Sequence, residues 1–299
     1  MRRVKGEVLV STVGFVSCVE LGGITPDDEL IASALAENGI RVEPVFWDDG
    51  STLARHDALV LRSPWNYHLD HHAFLAWVDD AAGSSSVFND GRLVRWNAHK
   101  GYLFDLERGG IKIVETILCK KHEARELRAI MTEHKWPQAI VKPAISASSF
   151  MTGIVGLRTH ADRDVQGRVM ADGQHLLDSI LETRDALIQP FLPQVFERGE
   201  RCLIFIEGRF SHAVGKAPFT DVGGGGRVVI AERREIDIGE RALSLLPQKP
   251  LYARIDLLRG ADGEDRLMEL ELIDPELYMR LDARAPVRFA AALARRMTR

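Results

Sequence analysis

Tyr252-Ala253-Arg254-Ile255-Asp256 and, one short turn later, Leu267-Met268-Glu269-Leu270-Glu271 are the stretches on which the reading of this chain depends. Both alternate as strands do, and the glycine-flanked residues 260–263 between them suit a hairpin turn. On a strand, residues two apart face the same side, so Glu269 and Glu271 project together about 7 Å apart. With Asp256 on the neighbouring strand, three carboxylates converge. Two like charges at ~4 Å repel by about 4 kcal/mol at an effective dielectric near 20, which calls for a counterion. An all-oxygen donor set suits Mg²⁺, with Mn²⁺ as the alternative. The same spacing also describes the polar face of a half-exposed strand, and spacing alone does not separate the two.

Lysines lie upstream of the acids. Lys142 ends an apolar strand just before Pro143 and the small-residue loop 146–153, in which Ser146, Ser148 and Ser149 let backbone N–H groups approach an anion. Lys100, at an otherwise apolar helix start, and Lys216, ahead of the glycine run 223–226, are further candidates for phosphate contact. Each lysine taken alone also reads as an ordinary surface residue; order and spacing give the set its weight.

Working outward, residues 8–10 read as a first strand and 11–23 as the loop leaving it. Thr25-Pro26-Asp27-Asp28-Glu29 opens a helix by capping and dipole rules, and Asn38-Gly39 closes it. Strands at 42–46 and 58–61 and a helix at 74–82 follow. Strand and helix alternating with short connections imply a parallel sheet covered by helices. A second unit begins at Trp96-Asn97, with a helical stretch carrying Lys100 and then strands and a helix through residue 157. From Ala186 the pattern changes to hairpins, ending in a basic amphipathic helix at 288–299. The expected class is α/β, passing to α+β in the C-terminal part, with units at 1–95, 96–185 and 186–299.

The balance of 39 basic against 43 acidic residues gives a net charge of −4, so there is no general pull on nucleic acid or an anionic membrane, and function is expected in a pocket. Three widely spaced cysteines fit neither a disulfide framework nor a zinc site, which favours a reducing cytoplasm. Polar residues interrupt the would-be apolar leader at the start, and no run is long enough for a membrane-spanning helix. His68, His71 and His72 have helical ligand spacing without a fourth partner and read as a solvated helix start. Whether copies of the chain associate is left open.

In order and spacing, residues 96–281 resemble the ATP-grasp superfamily of carboxylate–amine ligases. The resemblance rests on Lys100, on Val141-Lys142-Pro143 with its small-residue loop, and on Leu187-Ile188-Gln189-Pro190-Phe191-Leu192. It continues through Arg201 and Lys216 to Arg254-Ile255-Asp256 and Glu269-x-Glu271. It implies an ATP-grasp fold behind a Rossmann-like N-terminal substrate domain, a lid subdomain at 96–185 and a metal-bearing subdomain at 186–299. It also implies that Lys100, Lys142, Ser146, Ser148 and Ser149, with the hinge Gln189, Pro190, Phe191 and Leu192, hold ATP, while Glu197 touches ribose. Asp256, Glu269 and Glu271 would hold Mg²⁺. Two departures stand out: the loop has only Gly153, and Glu271 stands where the family usually has asparagine.

Arg62-Ser63-Pro64-Trp65-Asn66-Tyr67, Trp96-Asn97-Ala98-His99-Lys100 and Ile273-Asp274-Pro275-Glu276-Leu277 resemble a compact branch that includes the cyclo-ligases forming D-cycloserine from O-ureido-D-serine. The implied reaction phosphorylates a substrate carboxylate for attack by an amine, with Lys216 and Arg254 stabilising charge. The substrate is expected to be a small amino-acid-like molecule touched by Ser11, Tyr67 and Arg280, with residues 219–227 as a second lid. The alternatives are an intermolecular amino-acid ligase and a non-catalytic nucleotide-binding scaffold.

Overall fold

The computed structural model describes residues 11–51, 55–157, 172–217 and 225–298, with the short strand segments 3–4, 7–8 and 163–164. Its first sheet is parallel, in the order Ile40–Phe46, Ser11–Ser17, Ala58–Ser63, Ser86–Phe88. The central strand is therefore Ser11–Ser17, which the sequence reading had assigned to a loop; Glu7–Val8 instead pairs with Arg3–Val4. Polar flanks hide this strand, but Val13, Phe15 and Val16 are fully buried between two neighbours. Gly14 is required there, because a Cβ would meet Leu59 Cδ2 at 2.5 Å and Val45 Cγ2 at 2.7 Å. The helix Pro26–Ala36 forms as its signals dictate, with the Thr25 hydroxyl accepting from the Asp28 N–H at 3.1 Å.

The helical stretch expected around Lys100 is two helices, Gly91–Ala98 and Tyr102–Arg108, with Lys100 in the break. The Lys100 N–H leaves the helical ladder to donate to the Ala144 carbonyl at 2.8 Å, and the Gly101 N–H donates to His99 Nδ1. The lysine is thus tied to the end of the strand that carries Lys142.

The middle sheet is antiparallel, ordered Arg163–Asp164, Gly153–Gly156, Gln138–Pro143, Ala186–Pro190, Ile117–Cys119. Ala186–Pro190 pairs along its length with Gln138–Pro143, so a division at 185/186 separates a strand from its own sheet; one after Pro190 keeps the sheet whole. The third sheet is also antiparallel, ordered Gly226–Val229, Arg209–Lys216, Glu200–Ile206, Tyr252–Arg259, Asp265–Glu271, and both expected hairpins are in it. Its apolar residues share one core with the first sheet and the helices Pro26–Ala36 and Ala285–Met297. No helix among the described residues is long and apolar enough to cross a membrane.

Candidate active site

The middle and third sheets face each other across a cavity of about 490 Å³, within the range of small-molecule sites. Strand alternation supplies its charged floor. Arg254 and Asp256, two apart, lie opposite Glu271 and Glu269 respectively, so four charged side chains share one face of the hairpin. The register slips after Asp256, leaving Met268 without a directly opposed residue, and Met268 also lines the cavity. On the next strand Cys202 is opposite Asp256, and Glu200 is opposite Lys216.

The strand bearing Glu269 and Glu271 is the sheet edge, and side chains take the place of a missing neighbour. Asn97 donates to the Leu270 carbonyl at 2.7 Å and accepts from the Leu272 N–H at 2.9 Å; the Tyr102 hydroxyl accepts from the Leu270 N–H. Lys112 and Val114 bond to both backbone groups of Leu267. The edge is satisfied, which fixes both glutamates against the cavity.

Within the cavity the charges are interlocked. Arg254 bonds to Asp256 at 2.9 Å, to Glu271, and to the Glu276 carbonyl at 3.2 Å. Lys100 pairs with Glu269 at 3.1 Å and donates to the Ser146 carbonyl and hydroxyl at 2.8 and 3.1 Å. Burial would raise the Glu269 carboxyl, but Lys100 and Lys142 together hold it down at about 2. Glu271 goes the other way, pushed well up by burial and by Glu269 and Asp256 against the pull of Arg254. Burial lowers Lys142 and raises Glu200, the latter despite Lys216 at 3.4 Å.

The small-residue loop follows Lys142 as two turns, Phe150 N–H to the Ala147 carbonyl and Thr152 N–H to the Ser149 carbonyl. Ser148, Ser149 and Met151 take φ of 49°, 57° and 48°, the left-handed backbone glycine would favour. This loop therefore has a glycine loop's backbone shape without its glycines. Phe150 packs on His68 at 4.8 Å and lies under Arg184, so the loop is seated against the first unit.

Among the residues singled out by sequence, the cavity brings together Lys100, Lys142, Ser146, Ser148, Ser149, Gln189, Pro190, Phe191, Leu192, Lys216, Arg254, Asp256, Glu269, Glu271 and Tyr67. Three are elsewhere. Ser11 begins its strand, at the edge opposite the C-terminal end where a parallel sheet binds ligands, because the strand runs to Ser17. Glu197 is exposed on the short helix Val195–Arg198, and Glu200 lines the cavity instead. Arg280 points into an ion-pair cluster with Asp27 at 3.0 Å and Glu276 at 2.6 Å. The second lid expected at 219–227 lies mostly outside the described residues.

Sequence reasoning missed Glu200, Asp274, Glu276 and Tyr278. The last three enter on the segment after the acidic strand, which only the packing of the first unit folds back to the cavity; Glu200 was readable as the strand residue facing Lys216. Among the described residues the group whose ligand atoms lie within 4.8 Å of one another is Glu200, Cys202 and Asp256. Burial pushes the Cys202 thiol well up, leaving carboxylate oxygens as the donors. Six carboxylates line the cavity against four cations, a surplus that a polyphosphate cannot offset but a divalent cation can. The residues present thus fit Mg²⁺ accompanying a nucleotide.

Residues 13–89 match the family described as the N-terminal domain of D-cycloserine synthetase DcsG. Over 281 residues, 87% of this chain and 90% of the relative, the sequence is 29% identical to the cycloserine biosynthesis protein DcsG of Streptomyces lavendulae. The crystal structure of D-cycloserine synthetase DcsG superposes with a TM-score of 0.83 at 24% identity, covering 96% of this chain and all of that one. The D-alanine–D-alanine ligase of Bacillus anthracis complexed with ATP gives 0.67 at 13% identity, covering 97% of this chain and 98% of that one. The ATP-grasp ligase PsnB complexed with precursor peptide PsnA2 and AMPPNP gives 0.60 at 14%, covering 99% and 100%. The chain has the ATP-grasp fold, and over most of its length its sequence is similar to a cycloserine biosynthesis protein.

Proposed function

We propose that this protein is an ATP-dependent ligase that activates a substrate carboxylate by phosphorylation for attack by an amine, with cyclisation of O-ureido-D-serine to D-cycloserine as the specific reaction. The observation that carries the reading is that buried Lys100 and Lys142 line one cavity with Asp256, Glu269 and Glu271. Similarity to DcsG supports the narrower assignment.

ATP would lie along the connection Gln189–Leu192, where Ile140, Val195, Leu258 and Met268 add apolar walls, with Lys100, Lys142 and the Ser146–Ser149 backbone at its phosphates. Asp256, Glu269 and Glu271, with Glu200 beside them, would hold Mg²⁺, which supplies charge neutralisation at the transferring phosphoryl group. Mn²⁺ is expected to substitute, since the donors are oxygens. An anion beside Lys142 restores the charge that burial disfavours. Arg254, held as a rigid fork by three partners, orients the carboxylate and stabilises the oxyanion formed when the amine adds. The seated loop at Phe150 keeps water from the acylphosphate.

The test is phosphate release from Mg-ATP with amino acids offered singly and in pairs, O-ureido-D-serine included. Turnover with O-ureido-D-serine alone is the expected result. A requirement for two compounds makes the protein an intermolecular ligase, and nucleotide binding without turnover on any of them makes it a scaffold.

A further inference from the structure

The cavity's acids are, with one exception, already partnered. Glu200 pairs with Lys216, Asp256 and Glu271 with Arg254, Glu269 with Lys100, and Glu276 with Arg280. Asp274 also lines the cavity, and its carboxylate makes no ion pair with any described residue. The segment carrying it is held by its backbone. Trp65 Nε1 donates to the Asp274 carbonyl at 3.2 Å, Arg62 Nη2 to that of Pro275 at 3.3 Å, and Arg254 Nη1 to that of Glu276 at 3.2 Å. Three consecutive carbonyls are engaged by groups from both flanking units, so the side chain between them is aimed by a fixed loop.

A second, independent feature faces the same place. Tyr67 is only 4% exposed, yet its hydroxyl lines the cavity without a hydrogen-bond partner among the described residues. The hydroxyl opens to the cavity rather than into the core, where a ligand group can meet it. Asp274 and this hydroxyl line one cavity with Trp65, which donates to the Asp274 carbonyl and stands two residues before Tyr67. An acid without an ion pair and a hydroxyl without a partner, lining one cavity with Trp65, are complementary to an ammonium group, which brings positive charge and several N–H donors.

We propose that Asp274 and the Tyr67 hydroxyl form an ammonium subsite, which holds the charged α-nitrogen of the substrate while its carboxylate lies at Arg254. This rests on the ligase reading above, and it names the residues of that site that recognise the substrate's ammonium group. Arg254 also bonds to the Glu276 carbonyl of the segment that presents Asp274, and the cation-seeking and anion-seeking groups line one cavity. The bound ammonium is a recognition element, distinct from the attacking nitrogen.

The test is calorimetric binding to protein saturated with Mg²⁺ and AMPPNP, using O-ureido-D-serine and its desamino counterpart, 3-(ureidooxy)propanoate. Wild type is expected to bind the amino acid tighter by on the order of tenfold or more, the size expected for a charged hydrogen-bonded group. Asp274→Asn is expected to lose that preference while binding Mg-AMPPNP as wild type does. Equal wild-type affinity for the two compounds, or no affinity for either, overturns the proposal without recourse to a variant. Loss of Mg-AMPPNP binding in Asp274→Asn overturns it too, by making Asp274 a metal ligand. The ligase reading fails separately, through absence of phosphate release.

Discussion

Glu269 illustrates how one side chain would serve both folding and the proposed chemistry. It is half-buried, ion-paired to Lys100, and opposite Asp256 on the partner strand. Glu269→Gln keeps the shape and removes the charge. Lys100 retains its bonds to Ser146, so the expected stability loss is about 1–2 kcal/mol. The expected loss in kcat/KM is at least about 100-fold, or ~2.7 kcal/mol of transition-state stabilisation. Denaturation and steady-state phosphate release measure the two; an unchanged rate removes Glu269 from the site. Asp265, by contrast, is structural. It is buried, and Arg198, Arg259 and Arg234 converge on it. Burial opposes its ionisation, but the Arg259 hydrogen bond and these charges hold it below the ordinary carboxylate range. A depressed folded pKa stabilises fully above about pH 4 and ceases to as pH falls through the folded value. Asp265→Asn should therefore be less stable than wild type at pH 7 by about 1–3 kcal/mol, with the gap narrowing at pH 3. A gap that is constant with pH would show that the charge is not what matters.

At the scale of elements, the strand Asp265–Glu271 and its surrogate partner Asn97 carry the account. Asn97→Ala removes two buried bonds to the backbone of Leu270 and Leu272. The expected cost is about 2–4 kcal/mol, with a fall in turnover as the strand loosens. Equilibrium denaturation checks it, and a cost under about 0.5 kcal/mol would mean that Asn97 does not hold the edge. The two C-terminal hairpins were legible because alternation and glycine turns agree there, as in Tyr252–Arg259 with Asp265–Glu271. Ser11–Ser17 was not, since burial between two parallel neighbours erases alternation and the more apolar 8–10 run competes for the assignment. Lys100 was singled out from sequence and lines the cavity, but its helix break was not legible, because that depends on a bond to Ala144 across the fold.

At the scale of the molecule, three sheets meet at one cavity, and each contributes one kind of side chain to it. The middle sheet presents Lys142 and the serine loop, the third presents the acids and Arg254, and the first presents Tyr67 and Trp65 just past the C-terminal end of Ala58–Ser63. The first two contributions were readable from order and spacing along the chain. Asp274 and Glu276 were not, because their segment returns to the cavity only when Asp27 accepts from the Met279 N–H and Arg62, paired with buried Asp28, grips the Pro275 carbonyl. Long-range closure of that kind leaves no local pattern.

The most direct measurement is a crystal structure of the protein with Mg²⁺ and AMPPNP. The expected result places the base against the connection Gln189–Leu192, the phosphates at Lys100 and Lys142, and Mg²⁺ on Asp256 and Glu269. A nucleotide bound elsewhere, or in this cavity without a cation on those acids, would contradict the account.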